Sequence, residues 1–337
     1  MKKLIALLVL VTLIAGSARA SDTKLNVLTT TSDLKSITEE IGGQYVKVSS
    51  VCSPNQDPHF AEAKPSTIVS ARKADLFIVI GLELEIGYES LIIEGARNPK
   101  IRPGADGYLD VSEGVLLREV PTGKIDRSMG DVHPFGNPHY WIDPYNGRIM
   151  ARNIANRLQK LDPSHSAEYQ ANYQTFIKKI DEAMFGAPAV AKIGGDKLWE
   201  QELAGKLDDF SKEQKVQLGG WVVKAKPLRG MKIVLFHRSW TYFLNRFGII
   251  ESGELEPKPG IPPGPGHLKD LIERIKSENT KIILMELFYD RHSADFVASE
   301  TGAKVVVSPL SIGGDNSTGD YIKLVDTLIN RLLEAAK

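Results

Sequence analysis

The sequence predicts an α/β fold of two lobes, each a parallel β-sheet flanked by helices, with a long helical stretch between them. Short apolar runs alternate with helical patterns over residues 25–111 and again over residues 231–336, as in parallel sheets covered on both faces. Residues 146–185 form two predicted helices with no strand between them. A mature chain of residues 21–337 is long enough to favour two domains over one.

The first twenty residues have the pattern of a secretion signal. Lys2 and Lys3 supply the positive start, Leu4–Ile14 the apolar core, and Ala18–Ala20 a cleavage site of the small-x-small type. The apolar core is too short to remain as a membrane anchor, and no cysteine for a lipid anchor stands at the cleavage site. We therefore expect an exported protein, most simply periplasmic, that is cleaved after Ala20.

Charge and cysteine content exclude several classes of protein. The chain has 42 basic and 42 acidic residues, so its charge gives no indication of binding to nucleic acid or to an anionic membrane. Cys52 is the one cysteine, so no internal disulfide can form and the fold depends on its hydrophobic core. We expect Cys52 to be a small buried residue, with a thiolate ligand near His59 as the alternative.

The elements of the first lobe follow from local signals. Thr31 or Ser32 caps the first helix, which ends at Gly42 and Gly43, and Pro65 stands where the second helix begins. The predicted strands are 25–28, 46–51, 76–80 and 108–111, and the predicted helices are 32–42, 65–73 and 85–96. A polar loop containing Gly and Pro follows at residues 118–138.

The central stretch is helical over residues 146–161 and 166–185. In the second helix an aromatic and aliphatic stripe recurs at helical spacing, and it consists of Tyr169, Tyr173, Phe176 and Ile180. We interpret this stripe as core packing. The following residues, Ala187–Gln217, are rich in glycine and charge, and no pattern there assigns an element.

The second lobe returns to alternating strands and helices. The predicted strands are 231–236, 249–253, 281–285 and 304–307, and the predicted helices are 240–247, 267–277, 293–301 and 319–336. The proline-rich residues 256–265 predict a rigid loop at the mouth of a cleft. The predicted organisation is a signal at 1–20, an N-terminal α/β lobe at 21–163, a connecting helix at 164–190 and a C-terminal α/β lobe at 191–337.

Three histidines occupy positions that packing does not readily explain. His59 and His139 each follow a proline, which disfavours helix at the preceding residue, and His237 follows the buried strand at 231–236. Ligands of open α/β sheets bind beyond the carboxyl ends of the strands, where His59 and His237 are expected. One such histidine alone is more often structural, but three together predict a metal site. Neutral imidazoles suit zinc best, with copper, nickel or iron as alternatives.

Four motifs in a fixed order resemble a known family. They are DPHF at 57–60, NPHYWIDP at 137–144, FHRSWTYFLNRFGI at 236–249 and MELFYDR at 285–291. Behind a signal peptide, this order is similar to the zinc/manganese class of ABC-transporter solute-binding proteins, also called cluster 9 or cluster A-I, over essentially the whole mature chain. The resemblance implies that His59, His139 and His237 coordinate the metal in a cleft between the lobes. It also implies a rigid backbone helix at 166–185 and a membrane permease with its ATPase as partner.

The fourth metal ligand is where the sequence departs from this family. Many relatives have an aspartate after the last strand, and Ser308 stands at the matching position. Glu286, at the end of the strand at 282–285, is the predicted replacement, with a salt-bridged supporting role as its alternative. Asp315, Asp320 and a bound water are the other candidates for the fourth ligand.

The remaining histidines are expected outside the site. Many zinc importers have a run of histidines and acidic residues before the second ligand, whereas this loop has His133. We expect His133 to be a solvated loop residue, with transient docking of a metal as the alternative. His165 and His292 are predicted at the surface, and His267 is predicted to be exposed near the proline-rich loop.

The leading functional hypothesis is a monomeric periplasmic protein, not an enzyme, that binds zinc tightly and delivers it to an ABC importer. Mn²⁺ and Fe²⁺ are the alternative ions, because family members with two histidines and two carboxylates favour manganese. The competing hypothesis is a zinc metallohydrolase in which the histidines leave a position for water and Glu286 acts as the base. The sequence contains no His-Glu-x-x-His motif and no Gly-x-Ser-x-Gly elbow to support that enzyme.

Overall fold

Two four-stranded parallel sheets organise the computed structural model, which describes residues 24–123, 132–258 and 260–337. The first sheet contains β1 (Leu25–Thr29), β2 (Val46–Ser50), β3 (Leu76–Val79) and β4 (Tyr108–Asp110), and the second contains β5 (Lys232–Leu235), β6 (Ile250–Glu254), β7 (Ile282–Glu286) and β8 (Lys304–Ser308). Every paired strand runs parallel to its neighbour. The predicted fold class, parallel sheets flanked by helices with a long helix between them, is confirmed. The predicted secretion signal lies outside the described residues.

Both sheets have the same strand order, which decides where a ligand can bind. The orders are β2-β1-β3-β4 and β6-β5-β7-β8. In each sheet the second strand therefore lies on one side of the first strand, and the third and fourth strands lie on the other. A crevice opens at the carboxyl ends of strands where the direction of winding reverses. These points lie between β1 and β3 in the first sheet and between β5 and β7 in the second. Residues that follow these strands are therefore placed to face a shared ligand.

Three helices accompany the first sheet, namely α1 (Ser32–Gly42), α2 (Pro65–Lys73) and α3 (Glu89–Ala96). The Thr31 hydroxyl caps α1 by accepting from the backbone N–H of Leu34, as the sequence predicts. The helix predicted from Glu85 begins four residues later, because Leu82 and Glu83 adopt φ values of 55° and 66°. The Glu85 carboxylate instead accepts hydrogen bonds from the two backbone amides after β3 and from the Thr30 hydroxyl.

Two long helices, α4 (Pro144–Leu161) and α5 (Ser166–Phe185), connect the halves. Helix α5 packs against α1 and α4 on one side and against helices of the second half on the other. Tyr169, Phe176 and Ile180 are buried and Tyr173 is half-buried, so the stripe is core packing as predicted. A single hydrophobic cluster runs through both halves and includes Ile78 of β3 as well as Leu284 of β7. Because this core is shared, we expect the halves to move little relative to each other.

The segment without an assigned pattern folds into three short helices, and a fourth follows it. They are α6 (Ala187–Ile193), α7 (Gly195–Leu203), α8 (Leu207–Glu213) and α9 (Gly220–Lys224). Gly186, with φ of 87°, separates α6 from α5, and Gly194, with φ of 88°, separates α7 from α6. Helices of seven to nine residues broken by glycines leave too short a periodic pattern to recognise in sequence.

The second half ends with α10 (Thr241–Phe247), α11 (Pro265–Glu278), α12 (His292–Thr301) and α13 (Tyr321–Ala335). Their positions follow the predicted alternation within two residues at each end. None of the helices in the described part of the chain is long and apolar enough to cross a membrane. The boundaries 21–163, 164–190 and 191–337 remain predictions of domain organisation.

A buried ion pair ties the two halves together beside α4. Arg246 of α10 donates from Nε and Nη2 to the two carboxylate oxygens of Asp143, each at 2.8 Å, and Asp143 caps the N-terminus of α4. The Arg246 guanidinium also contacts the Glu202 carboxylate of α7. The side chains of Arg246 and Asp143 are only 6% and 3% exposed. Because charges buried this deeply need their partners, the three residues fix how α4, α7 and α10 pack.

Candidate metal centre

Three imidazoles converge between the two sheets. His59, His139 and His237 each offer one ring nitrogen, and these nitrogens all lie within 4.8 Å of one another. The ring centroids are 5.0 Å apart for His59 and His139, 5.7 Å for His59 and His237, and 5.3 Å for His139 and His237. Nitrogens bound tetrahedrally to one zinc at 2.0–2.1 Å lie about 3.4 Å apart. Small movements of the rings therefore bring the three nitrogens to the spacing of a shared ion.

Each histidine is placed by a different local structure. His59 lies in the single 3₁₀ turn Pro58–Phe60 after β2, and His139 directly precedes the 3₁₀ turn Tyr140–Ile142 that leads into α4. His237 follows β5 after Phe236, at the crevice of the second sheet. His139 and His237 are buried, and His59 is half-buried. The site is thus largely shielded from water and approached from the side of His59.

Each of the three histidines also has its Nδ1 atom at hydrogen-bond distance from a side-chain oxygen. The pairs are His59 with Asp57 at 2.7 Å, His139 with Asn137 at 2.9 Å and His237 with Glu256 at 2.7 Å. Since these oxygens accept a hydrogen bond from Nδ1–H, the lone pair of each imidazole is left on Nε2. Supporting acceptors of this kind orient histidines that bind metals.

The sequence contained a signal for two of these acceptors. Asp57 and Asn137 each stand two residues before their histidine with a proline between, and each also accepts the backbone N–H of that histidine at 2.9 Å. The shared x-Pro-His spacing therefore marks a repeated turn. Glu256 is 19 residues from His237, and no local pattern indicated its role.

The charge balance at the site differs from one histidine to the next. Burial, followed by the neighbouring His59 and His237, holds the pKa of His139 well below its ordinary value. For His237, burial acts in the same direction, but the hydrogen bond that Nδ1 donates to Glu256 and the charge of Glu286 outweigh it and raise the pKa. His139 is therefore a neutral nitrogen donor in the metal-free protein, while His237 is supported by two carboxylates.

Glu286 is the last residue of β7 and lies directly opposite Ser308 of β8 in the strand register. Both side chains are fully buried. Neither carboxylate oxygen of Glu286 nor the Ser308 hydroxyl makes a well-formed hydrogen bond among the described residues, although the Ser239 hydroxyl lies near enough to act on the Glu286 carboxyl. Burial raises the pKa of Glu286 to about 7, and His237 and Ser239 offset only part of this rise. Glu286 stands outside the mutually close group of three histidines, although its charge acts on His237. Unsatisfied buried polar atoms at this depth indicate a missing partner such as a cation.

The other candidates for the fourth ligand have partners elsewhere. Asp315 pairs with Arg331, and Asp320 caps α13 by accepting the backbone N–H of Lys323 at 2.8 Å. The arginines that could form a salt bridge with Glu286 are also engaged, since Arg238 pairs with Glu254 and Arg291 with Asp295. Among the described carboxylates considered for this role, Glu286 is the one without a competing partner.

His133 is not the solvated loop residue that the sequence analysis expected. It is half-buried, and its Nε2 lies 3.2 Å from Nε2 of His59. Burial, followed by the charges of His59 and His237, lowers its pKa to about 4. The prediction was wrong because the end of the loop folds back over the cleft, where the backbone N–H of Asn137 donates to the backbone carbonyl of Arg118 at 2.9 Å. Sequence patterns do not reveal such long-range closure of a loop.

Cys52 and the remaining histidines lie outside the group of three converging imidazoles. Cys52 is buried in a second hydrophobic cluster, which includes Phe77 and Tyr88. Burial raises its pKa to about 12, so it fits the predicted small core residue rather than a thiolate ligand. His292 is exposed as predicted. His165 and His267 are half-buried rather than exposed, because His165 stacks on Tyr45 and His267 contacts the Glu254 carbonyl oxygen at 2.9 Å.

A family model describes nearly the whole of this architecture. The model of the periplasmic component A of the zinc-uptake complex, ZnuA, matches residues 27–184 and 201–335. The chain belongs to this family. Its members are solute-binding proteins of metal ABC transporters, which are not a class of enzymes, and the resemblance stated from the four motifs is confirmed.

Curated relatives and solved structures agree with this assignment. The manganese ABC transporter substrate-binding lipoprotein PsaA of Streptococcus anginosus is 26% identical over 345 residues, which cover 99% of each chain. The lipoprotein scaA of Streptococcus gordonii, also named for manganese, is 25% identical over 91% of this chain and 87% of its own. A crystal structure of ZnuA superimposes with a TM-score of 0.68 at 22% identity over 93% of this chain and all of that one. A Mn-bound periplasmic metal-binding protein from candidatus Liberibacter asiaticus gives the same TM-score at 20% identity over 94% of this chain and all of that one.

Proposed function

We propose that this protein is an exported, monomeric zinc-binding protein that passes the ion to the permease of an ABC importer driven by its ATPase. The convergence of three imidazole nitrogens within 4.8 Å carries the proposal. Zinc favours nitrogen donors in tetrahedral sites, and three supporting oxygens leave the lone pair of each ring on Nε2, the atom that would bind it. Export through the predicted signal, with cleavage after Ala20, is part of the same proposal.

The choice of zinc over manganese rests on the donor set. Several relatives are named for manganese, and a hard ion such as Mn²⁺ prefers oxygen ligands. Three imidazoles with one carboxylate form a softer site, which favours Zn²⁺ over Mn²⁺ and Fe²⁺. A hydrolase is not favoured, because family members bind solutes for transport.

Titration of the mature protein with each ion tests this proposal. We expect Zn²⁺ to bind with one ion per chain and to displace Mn²⁺ completely when both are present in equal amounts, because affinity for nitrogen-rich sites rises from Mn²⁺ to Zn²⁺. Isothermal calorimetry with a competing chelator gives both the stoichiometry and the affinity. Failure to bind any divalent ion would refute the function, and preference for Mn²⁺ would refute the choice of zinc.

We propose Glu286 as the fourth ligand. Its carboxylate is fully buried and unpaired, and one negative charge would offset part of the charge of the ion. His133 makes a less favourable candidate, since its Nε2 contacts Nε2 of His59 and so occupies the atom that the metal needs.

The variants E286Q and H133A distinguish these two side chains. We expect E286Q to weaken zinc binding at least about tenfold and to raise the melting temperature of the metal-free protein, because it replaces a carboxyl that is costly to ionise in this buried position. H133A is expected to leave zinc affinity unchanged or to increase it slightly, because His59 loses a competing partner. Calorimetry and thermal unfolding measure the two effects. The reverse ranking of the two affinities would assign the fourth position to His133.

A further inference from the structure

Tyr289 connects the two halves of the candidate metal centre. It lies three residues beyond Glu286, and its hydroxyl donates a hydrogen bond to Oδ2 of Asp57 at 3.0 Å, across a sequence separation of 232 residues. Asp57 belongs to the segment after β2, whereas Tyr289 belongs to the segment after β7. The hydrogen bond therefore crosses the cleft that separates the two sheets.

Asp57 divides its two oxygens between the cleft's two sides. Oδ1 accepts the backbone N–H of His59 at 2.9 Å and lies 2.7 Å from His59 Nδ1, while Oδ2 accepts from Tyr289. One carboxylate thus holds both partners at once, so the orientation of the His59 ring depends on where Tyr289 holds Oδ2.

The ring of Tyr289 is held by the segment that carries the other ligand. It stacks on Phe236 with centroids 4.5 Å apart and an interplanar angle of 14°, and Phe236 directly precedes His237. The Tyr289 ring also lies 6.1 Å from the His237 ring. One side chain thus contacts both Asp57, which supports His59, and Phe236, which directly precedes His237. Ring stacking fixes it to the second half, and its hydroxyl reaches the first half.

We propose that Tyr289 is a positioning residue that holds His59 in place across the cleft and so slows release of the metal. The inference rests on the proposed metal-binding function and names a residue that controls that site without being a ligand. When the Tyr289–Asp57 hydrogen bond is made, His59 and His237 are held at a fixed separation. When it breaks, His59 regains freedom to turn away from the ion.

The variant Y289F removes the hydroxyl and keeps the stacked ring. We expect zinc affinity to fall about tenfold, mainly through faster release, as is typical when a supporting partner of a metal ligand is lost. Stopped-flow transfer of zinc to a chelator measures the release rate. The matched control is Y108F. It removes a hydroxyl that donates a 2.6 Å hydrogen bond to Oε1 of Glu89 and takes no part in the cluster of histidines. Y108F is expected to release zinc at the wild-type rate.

A double-mutant cycle with D57N separates positioning from a general effect on the fold. Because Tyr289 acts through Asp57, adding Y289F to D57N should change the release rate less than twofold, whereas Y289F alone changes it about tenfold. The absorption spectrum of the Co²⁺-substituted protein should shift in Y289F and not in Y108F, since only the first alters the position of His59. Unchanged zinc release in Y289F, or independent effects of Y289F and D57N, would overturn the inference while wild-type zinc binding stands. Absence of zinc binding by the wild-type protein would instead overturn the proposed function, and this inference with it.

Discussion

Replacement of His139 by alanine is expected to lower zinc affinity by at least about 100-fold, which is the upper end of the loss seen when a mere supporting partner is removed. His139 is 2% exposed, and its ring lies 5.0 Å and 5.3 Å from those of His59 and His237. Alanine at this position removes one of three converging nitrogens and leaves a buried gap that the other two cannot fill. Competition titration against a chelator of known affinity measures the loss.

The control for H139A is H292A. His292 is exposed at the start of α12 and stands outside the group of converging nitrogens, so its removal should leave zinc binding unchanged. Circular dichroism of both metal-free variants should match the wild-type spectrum, because neither change breaks a strand or a helix. An H139A variant that binds zinc within a factor of about three of wild type would contradict the assignment of His139 as a ligand.

The largest effect on stability is expected from replacement of Arg246 by alanine. The change leaves the Asp143 carboxylate, 3% exposed, and the Glu202 carboxylate, 16% exposed, without their shared cation. Breaking one partner of a buried pair costs about 3–5 kcal/mol of unfolding free energy, because the remaining charge is buried and uncompensated. Urea denaturation of the metal-free protein measures the difference.

R291A is the matched control for R246A. Arg291 pairs with Asp295 at 2.8 Å, but the two side chains are 55% and 52% exposed. Exposed ion pairs contribute less than about 1 kcal/mol, so R291A should unfold close to the wild-type midpoint. Equal losses of unfolding free energy in R246A and R291A would show that burial of the Asp143–Arg246 pair does not determine its contribution to stability.

Much of the fold could be predicted because its strands and helices carry strong local signals. Strand β3 is a continuous apolar run and β7 is apolar up to its last residue, Glu286, while a capping Thr31 and an initial Pro65 mark the starts of α1 and α2. Where the local signal conflicts with tertiary contacts, the prediction failed. The sequence pattern predicts a helix from Glu85, yet the Glu85 carboxylate accepts hydrogen bonds from the backbone amides after β3, and α3 starts only at Glu89.

The candidate metal centre was only partly predictable from the sequence for a related reason. Proline before His59 and His139, and a strand before His237, are local features that indicate rigid placement. His133 and Glu256 reach the site through loops whose paths are set by packing far along the chain, so spacing carries no sign of them. Residues that act through contacts between the two halves, such as Tyr289, need coordinates to be found.

A crystal structure of the zinc-loaded mature protein, with anomalous diffraction recorded on both sides of the zinc absorption edge, shows directly whether the three histidines share one ion. We expect one anomalous peak per chain, with Nε2 of His59, His139 and His237 each about 2.0–2.1 Å from the ion. A zinc peak that lacks any one of these three nitrogens at bonding distance, or that lies elsewhere on the chain, would contradict it.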